Sequence, residues 1–221
     1  MSLLFPEVCS NHVADLIFLI DGSESISENS FSTMKTFMKD VVDSFDISRD
    51  KVRLGVVQYS QEPQREFYLN EFYSDTIIKE QINRIEQLRS STFTGKGLRF
   101  VQSLFEPANG GRKNQGVSQN LVVITDGYSA DSVDDAAMAL RSNGIHVFAV
   151  GVGIVNSFEL LRIAGDARRV FTVENFNALK TIKSTIINEI CEPEDPASQG
   201  KQHNSIVGCV MENIHIATYS P

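Results

Sequence analysis

Residues 15–25 read Asp15-Leu16-Ile17-Phe18-Leu19-Ile20-Asp21-Gly22-Ser23-Glu24-Ser25, an apolar run that stops abruptly at a carboxylate, a glycine and two hydroxyls. A stretch this short and this apolar is expected to be a strand buried on both faces, and such strands belong to parallel sheets covered by helices. The polar residues then fall at its carboxyl end, the edge of an open α/β sheet where ligands bind. Asp21, Ser23 and Ser25 alternate along the chain, so an extended or looping backbone can turn their oxygens toward one point. Hard oxygens suit a hard cation such as magnesium, manganese or calcium. The same residues also fit a plain strand-to-helix turn, with Gly22 giving backbone freedom and a serine capping the next helix.

Outward from this stretch, strand and helix patterns alternate. Helical spacing of Phe31, Met34, Phe37, Met38, Val41 and Val42 predicts a helix over 28–45, capped by Ser27 or Ser30. An apolar, β-branched strand follows at 51–59, and Pro63 introduces a short edge strand at 64–69 that arrives by a hairpin. Ile77, Ile78, Ile82, Ile85 and Leu88 predict a helix over 76–88. The hydroxyl-rich run Ser90-Ser91-Thr92-Phe93-Thr94-Gly95 then feeds a helix over 96–105, and 107–118 is a glycine-rich loop. A buried strand at 120–125 ends, like the first, in a carboxylate and a glycine, Asp126-Gly127. Beyond it come a helix at 132–143 stopped by Gly144, a strand at 145–150, a helix at 158–163, a strand at 169–173 and a helix at 176–190. The expected fold class is α/β: a doubly wound, mostly parallel sheet with one antiparallel edge strand and helices on both faces.

The 221 residues suit one domain with tails: an amino-terminal segment over 1–13 that carries Cys9, a domain over 14–191, and a polar linker and coreless tail over 192–221. A net charge of -8 argues against a nucleic-acid or anionic-membrane surface and is compatible with a cation site. No apolar segment approaches the roughly 18 residues of a spanning helix. Cys9 and Cys191 flank the predicted core, which suggests a disulfide joining its ends in an oxidising compartment; two unpaired thiols in a reducing one is the other reading. Cys209 falls in the tail and has no assigned role.

Three motifs sit at carboxyl ends of predicted elements: Asp21-Gly22-Ser23-Glu24-Ser25, Thr92-Phe93-Thr94-Gly95 and Thr125-Asp126-Gly127. Together and in this order, they closely resemble the von Willebrand factor A-type family, integrin I-domains included, over 15 to about 191. The placement of Cys9 and Cys191 resembles the matrix branch of that family, the matrilins and collagen VI-like chains. The resemblance implies a metal ion-dependent adhesion site in which Ser23, Ser25 and Thr92 offer hydroxyls, and Asp21 and Asp126 act as direct or water-bridged carboxylates. Thr94 is then expected to support the loop rather than touch the ion.

The function so implied is a secreted, extracellular-matrix adhesion module. Its ion, Mg2+ with Mn2+ or Ca2+ as substitutes, accepts an acidic side chain from a matrix or cell-surface protein, collagen chains among them. Catalysis is not expected. The four histidines fall at the start of the chain, on a strand and in the tail, and no Gly-rich phosphate cradle of the P-loop type occurs. Two alternatives remain at this level: a purely structural assembly domain with no metal-dependent partner, and a metal-dependent hydrolase or protease-regulatory module.

Overall fold

The run that opens the sequence forms the strand β1, Ala14–Asp21, and every one of its residues is buried. The computed structural model describes Cys9 and residues 12–191. The predicted tail over 192–221 with Cys209, and most of the predicted segment over 1–13, lie outside the described residues.

In chain order β1 is followed by α1 (Glu28–Val42), β2 (Val52–Tyr59), β3 (Pro63–Phe67), α2 (Asp75–Arg84) and α3 (Thr94–Val101). Then come β4 (Ser118–Thr125), α4 (Asp134–Ser142), β5 (Ile145–Val152), α5 (Ser157–Ala164), β6 (Val170–Val173) and α6 (Lys183–Cys191). Six strands form one sheet in the order β3-β2-β1-β4-β5-β6. All neighbours are parallel except β2 and β3, which pair antiparallel at the edge. The fold class expected from the sequence is therefore the one observed.

Because successive side chains of a strand point to opposite faces, β1 feeds two cores at once. Leu16, Phe18 and Ile20 join the core beneath α1, α2 and α6, with Phe31, Met34, Met38, Ile78, Ile82 and Ile186. Ile17 and Leu19 join the core beneath α3, α4 and α5, with Leu98, Val101, Ala137, Leu140 and Ile163. Chain order reverses at β1: one branch runs outward through β2, and the other starts from β4. The crevice at such a reversal, outside the carboxyl ends of the strands, is where open α/β sheets bind ligands. Asp21 closes β1 and Thr125 closes β4 at this point.

Several predicted helices end or begin differently: α1 stops at Val42 and α4 starts at Asp134. The helix over 76–88 stops at Arg84, since Ile85 turns extended with ψ 120° and 85–88 become loop. The helix over 96–105 starts two residues earlier and finishes as a 3-10 turn at Gln102–Phe105. The last helix opens as a 3-10 turn, Phe176–Thr181, with Asn175 accepting from the Ala178 amide. Ser27 is the residue that caps α1, accepting from the Ser30 amide. Cys9 and Cys191 form a disulfide, with Cα atoms 5.6 Å apart, between the chain entering β1 and the end of α6.

Candidate metal centre

Strand β1 delivers Asp21 to the carboxyl edge, and the chain then turns back on itself. The Gly22 amide donates to Tyr59 O (2.7 Å) on β2, and Gly22 O accepts from the Arg89 amide (2.8 Å). Gly22 does not adopt a positive φ. It is glycine because a Cβ there would lie 2.0 Å from Gln58 Oε1, so the conformational role expected for it is corrected to one of close approach. Gln58 is itself buried and accepts from the Leu88 amide (2.8 Å), while Gln87 Nε2 donates to Ser23 O and Ile26 O. These bonds hold the Ser23–Ser25 turn in place, and they explain why 85–88 leave the helix.

Four of the five residues expected from the sequence, Asp21, Ser23, Ser25 and Asp126, come together at this edge. Ser23 and Ser25 hydroxyls lie 2.9 Å apart, and Ser25 Oγ donates to Asp126 Oδ1 at 2.8 Å across 101 positions of sequence. Asp21 Oδ1 accepts from the Ser23 amide (2.8 Å), and its Oδ2 accepts from Thr125 Oγ1 (2.8 Å). Thr92 is half-buried and is held by its backbone: its carbonyl accepts from the Ala130 amide at 2.7 Å. Among the described residues no hydrogen bond links the Thr92 side chain to the other four. Thr94 is buried and turned inward, its hydroxyl bonding to Tyr59 OH at 3.2 Å.

Burial and like charge act together on the two carboxyl groups at this edge. Burial pushes the Asp21 carboxyl up to about 6; hydrogen bonds from Ser23 and Thr125 oppose the rise, and the like charge of Asp126 adds to it. Asp126 is also raised, chiefly by burial. Tyr59, fully buried beneath them, is held well above its ordinary value by burial and then by the Asp21 charge, so it stays neutral and accepts from Thr94 Oγ1. Among the described residues, no cation is among the groups that shift either carboxylate. Two like charges brought together in a low dielectric without a counter-ion are unfavourable, and a divalent cation removes that cost. Three hydroxyls and two carboxylates are also hard donors of the kind Mg2+ takes. The residues therefore fit a small divalent ion.

The strand order and this edge can be set beside known proteins. Residues 15–185 match the family model described as von Willebrand factor type A domain. The chain belongs to this family. It is 42% identical to the collagen alpha-4(VI) chain of Mus musculus over 188 residues, which is 85% of this chain and 8% of that one. It is 36% identical to matrilin-1 of Gallus gallus over 190 residues, 85% of this chain and 38% of that one. A solved structure of proximal thread matrix protein 1 from the mussel byssus, described as having a zinc occupied MIDAS motif, superposes with a TM-score of 0.79 at 31% identity. That match covers 83% of this type A domain chain and 49% of the mussel chain. This chain thus spans less than half the length of each of these relatives.

Three further residues serve this edge to which the sequence assigned no role. Thr125 fixes the second oxygen of Asp21 and was legible only as a neighbour within Thr125-Asp126-Gly127. Ser129 and Asp131 hold the threonine loop, as described below, and their partners lie too far off in sequence for local spacing to show them.

Proposed function

We propose that this type A domain is an adhesion module that holds a divalent ion, Mg2+ first and Mn2+ or Ca2+ as substitutes, and accepts an acidic side chain from a matrix partner. The observation that carries the reading is the Ser23, Ser25, Asp126 chain of contacts at the β1–β4 reversal, with Asp21 buried behind it and no cation opposing either carboxylate. Ser23, Ser25, Thr92, Asp21 and Asp126 would hold the ion, and Thr94 would support the loop from below. Bound there, the ion supplies an electrophilic position for an incoming carboxylate. Supporting evidence comes from the mussel relative, whose corresponding motif is described with zinc.

The setting is the extracellular matrix. The relatives are collagen VI chains and a matrilin, and the Cys9–Cys191 disulfide belongs to an oxidising compartment. No described helix is long and apolar enough to cross a membrane. The proposed module spans 14–191, preceded by an amino-terminal segment over 1–13 with Cys9 and followed by a polar linker and tail over 192–221. Binding rather than catalysis is the role, because the described histidines, His12 and His146, sit at the amino ends of strands, away from this edge.

The test is calorimetric titration of the chain with Mg2+ and Mn2+, followed by surface binding to fractionated matrix extract with and without EDTA. Metal uptake lost in Asp126→Ala, together with EDTA-sensitive retention, is the expected result. Absence of metal uptake by the wild-type chain overturns the reading. Metal uptake with retention indifferent to EDTA overturns the adhesive role and leaves a structural one.

A further inference from the structure

Helix α3, Thr94–Val101, begins without a cap of its own: Phe93 occupies the cap position and offers no side-chain acceptor, and no acidic residue lies in the first turn. The first amides of a helix need acceptors, and here they find them in a different loop. The Thr94 amide donates to Ser129 Oγ (3.1 Å) and the Gly95 amide to Asp131 Oδ1 (2.8 Å). Ser129 Oγ in turn donates to Asp131 Oδ1 (2.8 Å), and Asp131 Oδ2 takes Arg99 from the next turn of α3 at 2.7 Å. Between them, the Ala130 amide bonds to Thr92 O. Three consecutive residues, 129–131, therefore grip 92–95.

The grip is close enough to dictate a residue. A Cβ on Gly95 would lie 2.1 Å from Ser132 O and 2.7 Å from Asp131 Oδ2, so the helix start and the loop meet at a distance that excludes any side chain there. The grip is also anchored from behind, since the Ser129 amide donates to Glu159 Oε1 (3.0 Å) in the first turn of α5, a buried carboxylate. At the other end of the same loop, Thr125 ties the chain to Asp21. Asp126 lies between these two anchorages in sequence, whereas Thr92 is tied to the loop only through its backbone carbonyl.

We propose that Asp131 is a positioning residue for the ion site: it borrows the start of α3 into the loop after β4 and so sets the place of the Thr92 hydroxyl relative to Asp126. This rests on the metal reading above. Asp131 does not touch the ion; it acts through Gly95 and Thr92. Residues that orient a metal's ligands in this way typically change its affinity about 10- to 100-fold when removed.

The test uses the full chain with Mn2+ as probe, in the variants Asp131→Ala, Asp131→Asn, Gly95→Ala and Arg99→Ala. Calorimetric affinity is read alongside amide hydrogen exchange of Gly95 in EDTA. Asp131→Ala and Gly95→Ala are expected to weaken Mn2+ by about 10- to 100-fold, and the Gly95 amide of Asp131→Ala should exchange faster. Asp131→Asn keeps the acceptor and should restore both, and Arg99→Ala should leave both near wild type. Unchanged Mn2+ affinity in Asp131→Ala with fast Gly95 exchange overturns the proposal, as does Asp131→Asn losing as much as Asp131→Ala. A wild-type chain that takes up no Mn2+ overturns the metal reading instead, and Gly95 exchange then decides the grip alone. Should Asp131→Ala not fold, Gly95→Ala and Asp131→Asn carry the comparison.

Discussion

Strand β1 carries a buried aspartate at each end of its polar register, Asp15 near its start and Asp21 at its finish, and neither is exposed to solvent. Asp15 is fully answered. It forms an ion pair with Arg112 at 2.7 Å, accepts from the Arg112 amide (2.6 Å) and from Gln119 Nε2 (2.8 Å), and Arg112 spends its other donors on Ala14 O and Lys51 O. Asp21 is answered only by a backbone amide and hydroxyls, with a second carboxylate nearby. One end of the strand is closed by charge pairing, and the other is kept short of positive charge. On the proposed function, the difference separates a residue that holds the fold from one that would help to hold an ion.

The sharpest way to break this comparison is at Arg112. Arg112→Ala leaves Asp15 buried and unpaired, a change that costs about 3–5 kcal/mol; urea unfolding should show that loss, and an unaffected midpoint would dissolve the contrast. Opening the Cys9–Cys191 bond by Cys9→Ser should cost about 2–5 kcal/mol by the same measurement, since the closed loop spans 182 positions.

At the opposite end the sign reverses. The Asp21 carboxyl is raised from 3.8 to about 6 in the folded protein, so the folded state binds its proton more tightly than the unfolded chain does. Burying this group therefore destabilises the metal-free fold above about pH 6, and the penalty fades as pH falls toward the unfolded value. Asp21→Asn should stabilise the EDTA-treated protein by up to about 3 kcal/mol at pH 7.5 and by little at pH 4. An Asp21→Asn variant as damaged as Arg112→Ala would show that both aspartates are structural. Saturating Mg2+ at about 100 times its dissociation constant should restore about 2.7 kcal/mol to the wild type, and less at pH 5 where protons compete. Asp126→Ala should lose that gain in a thermal scan. Smallest of all, Ile154→Ser at a position 88% exposed should shift stability by no more than about 0.5 kcal/mol and leave Mg2+ affinity alone.

Much of this was legible in the sequence for a physical reason. β1, β4 and β5 are largely buried on both faces, so they appear as apolar runs, and two of the three candidate-site loops, those with Asp21 and Asp126, begin where such a run stops. The helices of the two faces carry apolar residues at helical spacing, as in Phe31, Met34, Met38 and Val41. What was not legible was decided by partners distant in sequence. Ile85 and Leu88 continue the helical period of α2, yet Gln58 claims the Leu88 amide and Gln87 is drawn to Ser23 and Ile26, so tertiary hydrogen bonds override the pattern. Arg112 sits in a glycine-rich loop whose composition announces a turn and says nothing of the carboxylate it meets 97 positions earlier. The grip of Asp131 on Gly95 is hidden likewise, because Gly95 reads as a loop glycine until the neighbouring oxygen is seen.

The disulfide has a mechanical consequence. Tension entering through Cys9 leaves through Cys191 across a single covalent link whose Cα atoms are 5.6 Å apart, so stretching the flanking chain does not load the sheet. The proposed ion site lies at the carboxyl end of β1, a strand whose eight residues span about 25 Å, while Cys9 precedes its amino end. With the tether gathered at one end of the strand and the proposed contact face at the other, such a unit would be pulled without being pried apart.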